Sequence, residues 1–378
     1  MKTSNPSNPR IGIDARLLTQ TGVGVYIRNL LSYSEQYLSP RAEVVCFVRD
    51  EDVALFQKLY PHLAYKIANE RWHTVSEQTT FLRRIQQANL DLMHFTYFSF
   101  PIAYLRPYIS TIHDLTPLLF KTGAASTQRA SIYEIKHKVL YQVLRQAVSR
   151  ARYVITPSQS VKNEIISVFS PRLTDKIIPI YEGQNMLLLG TKPQLRLEKT
   201  IRAPYFLYVG NFYPHKNIEN LIESWAPICL QINLVLVGPD DMFARRIKSK
   251  LRAASGELND RVHFIHDATD GDLVYLYTHA RALVHPSLAE GFGLTLAEAQ
   301  AFKTPIIASD IPVFQELFAG SFVPFNPKDV EDMKRVLSTF LKGQVQAEKK
   351  AATTYSFETM AQQTFDLYFK ALESPHGK

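Results

Sequence analysis

Glu290 and Glu298 stand eight residues apart in the run LVHPSLAEGFGLTLAE, which extends from Leu283 to Glu298. On one continuous helix they would lie ~12 Å apart along the axis and ~80° apart around it. Gly291 and Gly293 argue against that arrangement. They favour strand, glycine loop, then helix, with Glu290 and Phe292 in the loop and Glu298 about one turn into the helix. The free amides of Gly293, Leu294 and Thr295 would then form an anion-binding helix start carrying roughly half a positive charge. A carboxylate at each end of that loop can accept hydrogen bonds from hydroxyls, in which sugars and ribose are rich. Lys216 belongs to a second run, YFLYVGNFYPHKN, from Tyr205 to Asn217. Its strand ends at Gly210 and a helix begins after Lys216, with Asn217 as the expected cap. A cation at that sheet edge can neutralise a leaving diphosphate. The plainer alternatives are a loop glutamate, a surface-helix glutamate and a solvated lysine.

The elements needed to position these groups are legible on both sides of them. Strands are predicted at Ile11–Ala15, Val44–Val48, Leu92–Phe95, Ile109–His113, Tyr153–Pro157 and Ile177–Tyr181. Helices over Ser131–Ser149 and Ser158–Phe169, and one after the turn Thr21–Gly24, separate several of them. The alternation restarts with strands at Tyr205–Val209, Leu234–Val237, Val262–Ile265, Leu283–His285, Ile306–Ala308 and Phe322–Pro324. Helices Asn217–Ile228, Met242–Ala254, Asp270–Ala280, Thr295–Phe302 and Val330–Leu341 lie between or after them. Strands alternating with helices imply α/β architecture with doubly wound, mostly parallel sheets. The expected layout is a first domain over 1–186, a linker over 187–203 and a second domain over 204–354. A C-terminal helix over 355–378 would cap a sheet or bridge the domains. Two such Rossmann-like domains facing a central cleft place ligands at the C-terminal edges of both sheets.

Composition narrows the classes. At 378 residues, 46% hydrophobic and 21% charged, the chain can bury two cores. No apolar run approaches the ~20 residues of a membrane span. The polar start MKTSNPSNPR lacks a signal core, so a cytoplasmic protein is expected. Cys46 and Cys229 sit in different halves without metal-ligand spacing, which argues against a disulfide framework or a zinc site. Through residue 203 there are 26 Lys/Arg against 15 Asp/Glu, net +11; the remainder has 17 against 20, net −3, and together these give the chain's +8. The basic half could meet an anionic membrane surface or a phosphate-bearing acceptor, peripherally at the inner membrane face. No nucleic-acid-binding motif appears, so nucleic acid is not expected as a partner. In the basic stretch from Arg129 to Arg152, Tyr133, Lys136, Leu140, Val143 and Leu144 fall on one stripe. That stripe fits either a core-facing surface or a lipid-facing one.

GNFYPHKN and EGFGLTLAE together resemble the C-terminal domain of the family-four retaining glycosyltransferases of GT-B fold. The resemblance extends over nearly the whole chain, through GIDARLL, TGVGVYIRNLL, STIHDLTPLLF, YVITPSQSVKNEII and the closing YSFETMAQQTFDLYF. Among its members, bacterial mannosyltransferases of surface-polysaccharide assembly are the nearest in motif. It implies a nucleotide-sugar donor and a glycan or lipid-linked acceptor. It implies that Lys216 holds the donor diphosphate beside Asn211 and His215, that Glu290 contacts the transferred sugar within Gly291–Thr295, and that Glu298 binds ribose. It further implies that Gly22 and Gly24 approach the donor, that His113 touches the sugar, and that Asp267 and Ala268 lie near the base. Where many members carry arginines, this chain has Asn211 and His215, so diphosphate neutralisation leans harder on Lys216 and the helix amides.

Rival chemistries fit less well. TGVGVYIR offers two glycines of a dinucleotide fingerprint but has Ile27 where the third belongs, and Gly-Lys-Ser/Thr is missing. Asp270 and Asp272 could form an Asp-x-Asp metal site, but following Thr269 they read better as a capping box with N-terminal charges, so neither metal nor cofactor is expected. A glycosidase using Glu290 and Glu298 leaves Lys216 without a role. A non-catalytic sugar or lipid-head-group binding protein of the same fold remains the alternative from another class.

Overall fold

The computed structural model describes residues 8–120, 130–184, 186–198, 201, 204–253, 256–346 and 355–373. It divides into two compact units. The first comprises Met1–Gly183 with Ser356–Lys378, the second Gln184–Tyr355.

In the first unit, seven parallel strands are described: β1 (Arg10–Asp14), β2 (Glu43–Val48), β3 (Ala64–Ile67), β4 (Leu92–Phe95), β5 (Tyr108–Thr111), β6 (Tyr153–Thr156) and β7 (Ile177–Pro179). Their order is β3-β2-β1-β4-β5-β6-β7. β3 was not predicted. It is a sheet-edge strand, and all four of its residues are exposed or only half-buried, so its sequence AYKI lacks a buried signature.

The second unit repeats the scheme with β8 (Tyr205–Val209), β9 (Asn233–Val237), β10 (Val262–Ile265), β11 (Ala282–His285), β12 (Ile306–Ser309) and β13 (Val323–Phe325). Their order is β10-β9-β8-β11-β12-β13, again parallel. Successive residues of a strand point to opposite faces. Accordingly Tyr205 and Leu207 enter one apolar cluster with Val235 and Leu283, while Phe206 and Tyr208 enter the other with Leu234 and Val284. A sheet with helices over both faces must be apolar on both, which is why these strands read as continuous apolar runs.

One expectation about the connections changes, and of the two roles expected for the C-terminal helix the structure shows the sheet-capping one. Within the stretch 187–203, expected as a linker, the described residues Leu188, Leu197 and Ile201 are buried in the core of the second unit. These burials follow no regular period, so the sequence pattern could not mark them. The helix Phe357–Glu373 belongs to the first unit, where Phe357, Met360, Ala361, Phe365 and Tyr368 are buried. Tyr368 OH lies 2.5 Å from Nδ1 of His94 on β4. Cys46 and Cys229 are buried free thiols. No helix among the described residues is long and apolar enough to cross a membrane.

In each sheet the strand order reverses beside the first strand, between β1 and β4 and between β8 and β11. At such a switch point neighbouring loops diverge and leave room for a ligand at the strands' C-terminal ends.

Candidate active site

The loops after β8 and β11 meet at the second switch point. β8 runs out through Gly210 into the 3-10 turn Pro214–Lys216; β11 ends at His285. Leu288 N donates to His215 O (2.8 Å) and joins the two loops. Across that junction Lys216 Nζ lies 2.6 Å from Glu290 Oε1, and His285 Nε2 lies 2.8 Å from the same oxygen. Both partners of the Lys216–Glu290 pair are largely buried, with side chains 14% and 13% exposed. Burial alone would raise the Glu290 carboxyl; the Lys216 charge and the His285 hydrogen bond outweigh it and hold the group well below the usual carboxylate range. Glu290 is therefore a carboxylate with Oε1 doubly occupied and with no hydrogen-bond partner on Oε2 among the described residues.

His285 carried no role in the sequence analysis. Its ring stacks on Tyr208 (centroids 5.8 Å) and meets Phe314 edge-on, and Thr295 Oγ1 sits 3.2 Å from Nδ1. Nε2 faces the Glu290 carboxylate and donates to it, while the threonine hydroxyl bonds the other ring nitrogen, so the ring is held at both ends. Histidine at a strand end is common in a core, so only the fold could reveal this role.

The helix start has the expected form. Gly293 occupies a left-handed conformation (φ 99°), the helix runs Leu294–Ala301, and Phe292 is buried beside it. A side chain at position 293 would be strained by that backbone and would meet Phe314 at 2.8 Å. The first-turn amides of such a helix have no acceptor within it. Gly291 lies in the preceding loop, and Glu298, one turn in, accepts from Tyr277 OH (2.8 Å).

Other candidates separate into those the structure explains and those it leaves open. Asn211 holds Tyr208 OH on its carbonyl (2.6 Å), while its Oδ1 is buried without a hydrogen-bond partner among the described residues. His215 is buried and stacks on Tyr213. Asn217 does not cap through its side chain as expected. It adopts the left-handed region (φ 62°), and its Nδ2 donates to Pro327 O (2.8 Å). Asp267 and Ala268 follow β10, and Asp267 pairs with Arg196 (2.8 Å), a residue from the stretch expected as linker. Arg196 also binds the buried Asp272, which completes a capping box with Thr269. Asp272 is thereby occupied structurally, and no group of three His, Cys, Asp or Glu among the described residues could hold a metal.

In the first unit, His113 follows β5. Its Nδ1 lies 3.2 Å from Glu182 Oε1, Nε2 lies 3.0 Å from Thr96 O, and Tyr26 packs edge-on at 4.9 Å. Burial opposes charge on His113, but Glu182 outweighs it and the imidazole pKa is raised. Glu182 was not among the expected residues; it lies 69 positions from its partner, and no local pattern connects them. Gly22 precedes the helix Val23–Ser32 in a left-handed conformation (φ 69°). Gly24 lies in that helix's first turn, where a Cβ would stand 2.6 Å from Leu18 O, so close backbone packing already requires glycine there.

Comparison with known proteins agrees with this architecture. Residues 21–185 match the family described as Glycosyltransferase Family 4, and residues 194–356 match Glycosyl transferases group 1. The chain is 29% identical over 294 residues to the O-antigen chain mannosyltransferase RfbU of Salmonella typhimurium, covering 77% of each protein. Among solved structures it is similar to a sucrose-phosphate synthase from Thermosynechococcus elongatus (TM-score 0.72, 20% identity, 96% of both chains). It is also similar to Anabaena HepE in complex with UDP-glucose (TM-score 0.68, 16% identity, 96% of both chains). With both halves matched and both sheets in the same arrangement, the chain belongs to the glycosyltransferases of GT-B fold and resembles the bacterial mannosyltransferases of polysaccharide synthesis.

Proposed function

We propose that the protein transfers a hexose, with mannose preferred, from a nucleoside diphosphate to a hydroxyl of a glycan or lipid-linked acceptor, with retention at the anomeric carbon. The observation that carries this proposal is the Glu290 carboxylate: Oε1 is held by Lys216 and His285, which leaves Oε2 to accept from hydroxyls of the transferred sugar. Cleavage of the sugar–phosphate bond builds negative charge on the diphosphate. Lys216 and the amides of Gly293, Leu294 and Thr295 are fixed donors that stabilise it as it forms, the role a divalent ion takes in other sites. Asn211 Oδ1, buried without a partner among the described residues, and the Glu298 carboxylate, which also accepts from Tyr277 OH, offer acceptors for donor or ribose hydroxyls. The mannose preference rests on the Salmonella relative.

A panel of GDP-mannose, UDP-glucose, UDP-galactose and ADP-glucose tests this proposal through the melting temperature. A ligand at one hundred times its Kd stabilises by about 2.7 kcal/mol. GDP-mannose should give the largest rise and should release GDP when acceptor is added. A panel without any stabilising member would sink the assignment.

The lipid-linked acceptor carries a membrane expectation. In the helix Ala130–Arg150, Val143 and Leu144 are buried in the core and Leu140 packs against it, so that side of the stripe is accounted for by packing. Arg129 and the side chains of Tyr133 and Lys136 lie outside the described residues. The exposed Lys138 and Arg145 remain for anionic lipid. Attachment of this kind should retain the protein on anionic vesicles at low salt and release it at high salt. Equal binding to zwitterionic vesicles would exclude it.

A further inference from the structure

The loop that follows β10 is held by a residue that precedes β8. Arg196 forks onto Asp272 with Nε (3.3 Å) and Nη2 (2.8 Å), and that carboxylate is fully buried. The outer edge of the guanidinium reaches Asp267: Nη1 donates to Oδ2 (2.8 Å) and Nη2 to the backbone O (3.1 Å). The chain beside Arg196 is clamped to the same loop. Gln194 N donates to Gly271 O (2.9 Å), and Thr269 Oγ1 donates to Gln194 Oε1 (3.2 Å). A Cβ at Gly271 would stand 2.5 Å from the Gln194 side chain, so the two segments touch closely.

An ion pair as open as Arg196–Asp267, with side chains 46% and 76% exposed, adds little to stability. Its effect is orientation. The guanidinium, anchored on buried Asp272, fixes both the backbone carbonyl and one carboxylate oxygen of Asp267. The hydrogen bond and charge of Arg196 also hold the Asp267 carboxyl below its ordinary range. The end of β10 thus carries an ionised, oriented acceptor whose remaining lone pairs are open to a ligand.

This acceptor shares a sheet edge with Lys216 and Glu290. β10 lies two strands from β8, ~10 Å, a span that a nucleoside bridges. The loops after β8 and β9 leave the sheet through glycines at one level: Gly210 N bonds Val237 O (2.9 Å) and Gly238 N bonds Ile265 O (3.0 Å). A Cβ at Gly238 would stand 2.0 Å from Gly210 O, so no side chain rises between them. The β12 side is closed instead by Phe314, Phe318 and Phe322, packed with Phe292 and His285. A nucleoside whose diphosphate rests at Lys216 therefore extends toward Asp267.

There its base meets a carboxylate. Among the common bases only guanine presents two adjacent donors, N1–H and N2–H, on one edge. In uracil N3–H lies between two carbonyl oxygens, and in adenine and cytosine the amino group adjoins a ring-nitrogen lone pair. Each of these sets an acceptor against the carboxylate. We propose that Arg196 is a positioning residue that aims Asp267 at the nucleobase, and that Asp267 thereby selects guanine over uracil and adenine. The proposal rests on the nucleotide-dependent transfer proposed above and names the base of its donor.

Calorimetric titration of the full chain with GDP, UDP and ADP tests it. GDP should bind about tenfold or more tightly than the other two, the scale for one good bidentate base contact. Asp267→Asn changes an exposed side chain and should remove that preference by weakening GDP alone. Arg196→Lys keeps the charge but cannot fork across two carboxylates. It should narrow the preference in the native background and change it no further in Asp267→Asn. An Arg196 with a merely structural part would weaken all three ligands alike, and an unchanged ratio in Arg196→Lys overturns its role. Equal affinities in the native chain, a preference for UDP or ADP, or a GDP preference that survives Asp267→Asn overturns the guanine assignment while transfer stands. Binding of none of the three removes the transfer reading and the base site together.

Discussion

His285 Nε2 and Glu290 Oε1 lie 2.8 Å apart across the turn that leaves β11, and Lys216 reaches the same oxygen from the loop after β8. Two donors on one oxygen fix the carboxylate's rotation as well as its charge. The imidazole cannot swing away, because Tyr208 stacks on it and Thr295 hydrogen-bonds its far nitrogen. His285 is therefore a positioning residue for Glu290. His285→Phe should keep the ring packing, lose the hydrogen bond and lower kcat by about ten- to a hundredfold, the scale for a misplaced reacting group. Donor KM should move by much less. His285→Gln can still donate and should recover most of the loss; equal rates for native and Phe enzymes would remove the role.

Lys216→Ala should cut turnover by about a hundredfold or more, the scale for losing one donor to a developing negative charge. Circular dichroism should be unchanged, since the residue lies on a loop at the sheet edge. In the same variant Glu290 loses its charge partner and its carboxyl pKa should rise. Near-native turnover would mean that the leaving diphosphate is neutralised elsewhere.

Activity should persist in excess EDTA. Asp272 is committed to Thr269 and Arg196, and the proposed charge stabilisation comes from Lys216 and helix amides. Complete loss, restored by magnesium or manganese, would show that a divalent ion carries the diphosphate.

The His113–Glu182 pair sets a pH signature. Because the folded pKa of His113 is raised, its contribution to stability is fully present below the unfolded value of about 6.5 and fades as pH climbs through the folded value. Glu182→Gln should destabilise the protein by about 1–3 kcal/mol near pH 6, the range for a buried donor left poorly matched. The difference from native should shrink toward pH 9. A pH-independent difference in denaturant midpoints would assign Glu182 a purely steric part.

Much of this was open to sequence reasoning because apolar runs and loop glycines are local signals. β8, β10 and the helix Val330–Leu341 were predicted to their ends. Lys216 and Glu290 meet although 74 residues apart, since β8 and β11 are neighbours at a switch point, a consequence of the strand order itself. Pairings without a period stayed hidden. Arg16 with Glu77, Arg196 with Asp272 and His113 with Glu182 join residues 61, 76 and 69 apart, and each member alone looks like an ordinary surface charge or loop histidine. Asn217 misled for a physical reason: asparagine suits both a cap and a left-handed turn, and the fold used it for the second.

The helix Phe357–Glu373 has a consequence for synthesis. The second unit is one uninterrupted stretch of chain, whereas the first is assembled from both ends of the sequence. On the ribosome the first unit emerges early but lacks the segment that covers β4 and supplies the Tyr368 hydroxyl to His94. Until residues 356–373 have emerged it holds an uncovered apolar surface, so the first unit cannot be completed before the second has been synthesised. A plasmid ending near residue 355 would encode an intact second unit joined to an unfinished first one. Exchanging first units between relatives would likewise require moving two gene segments together.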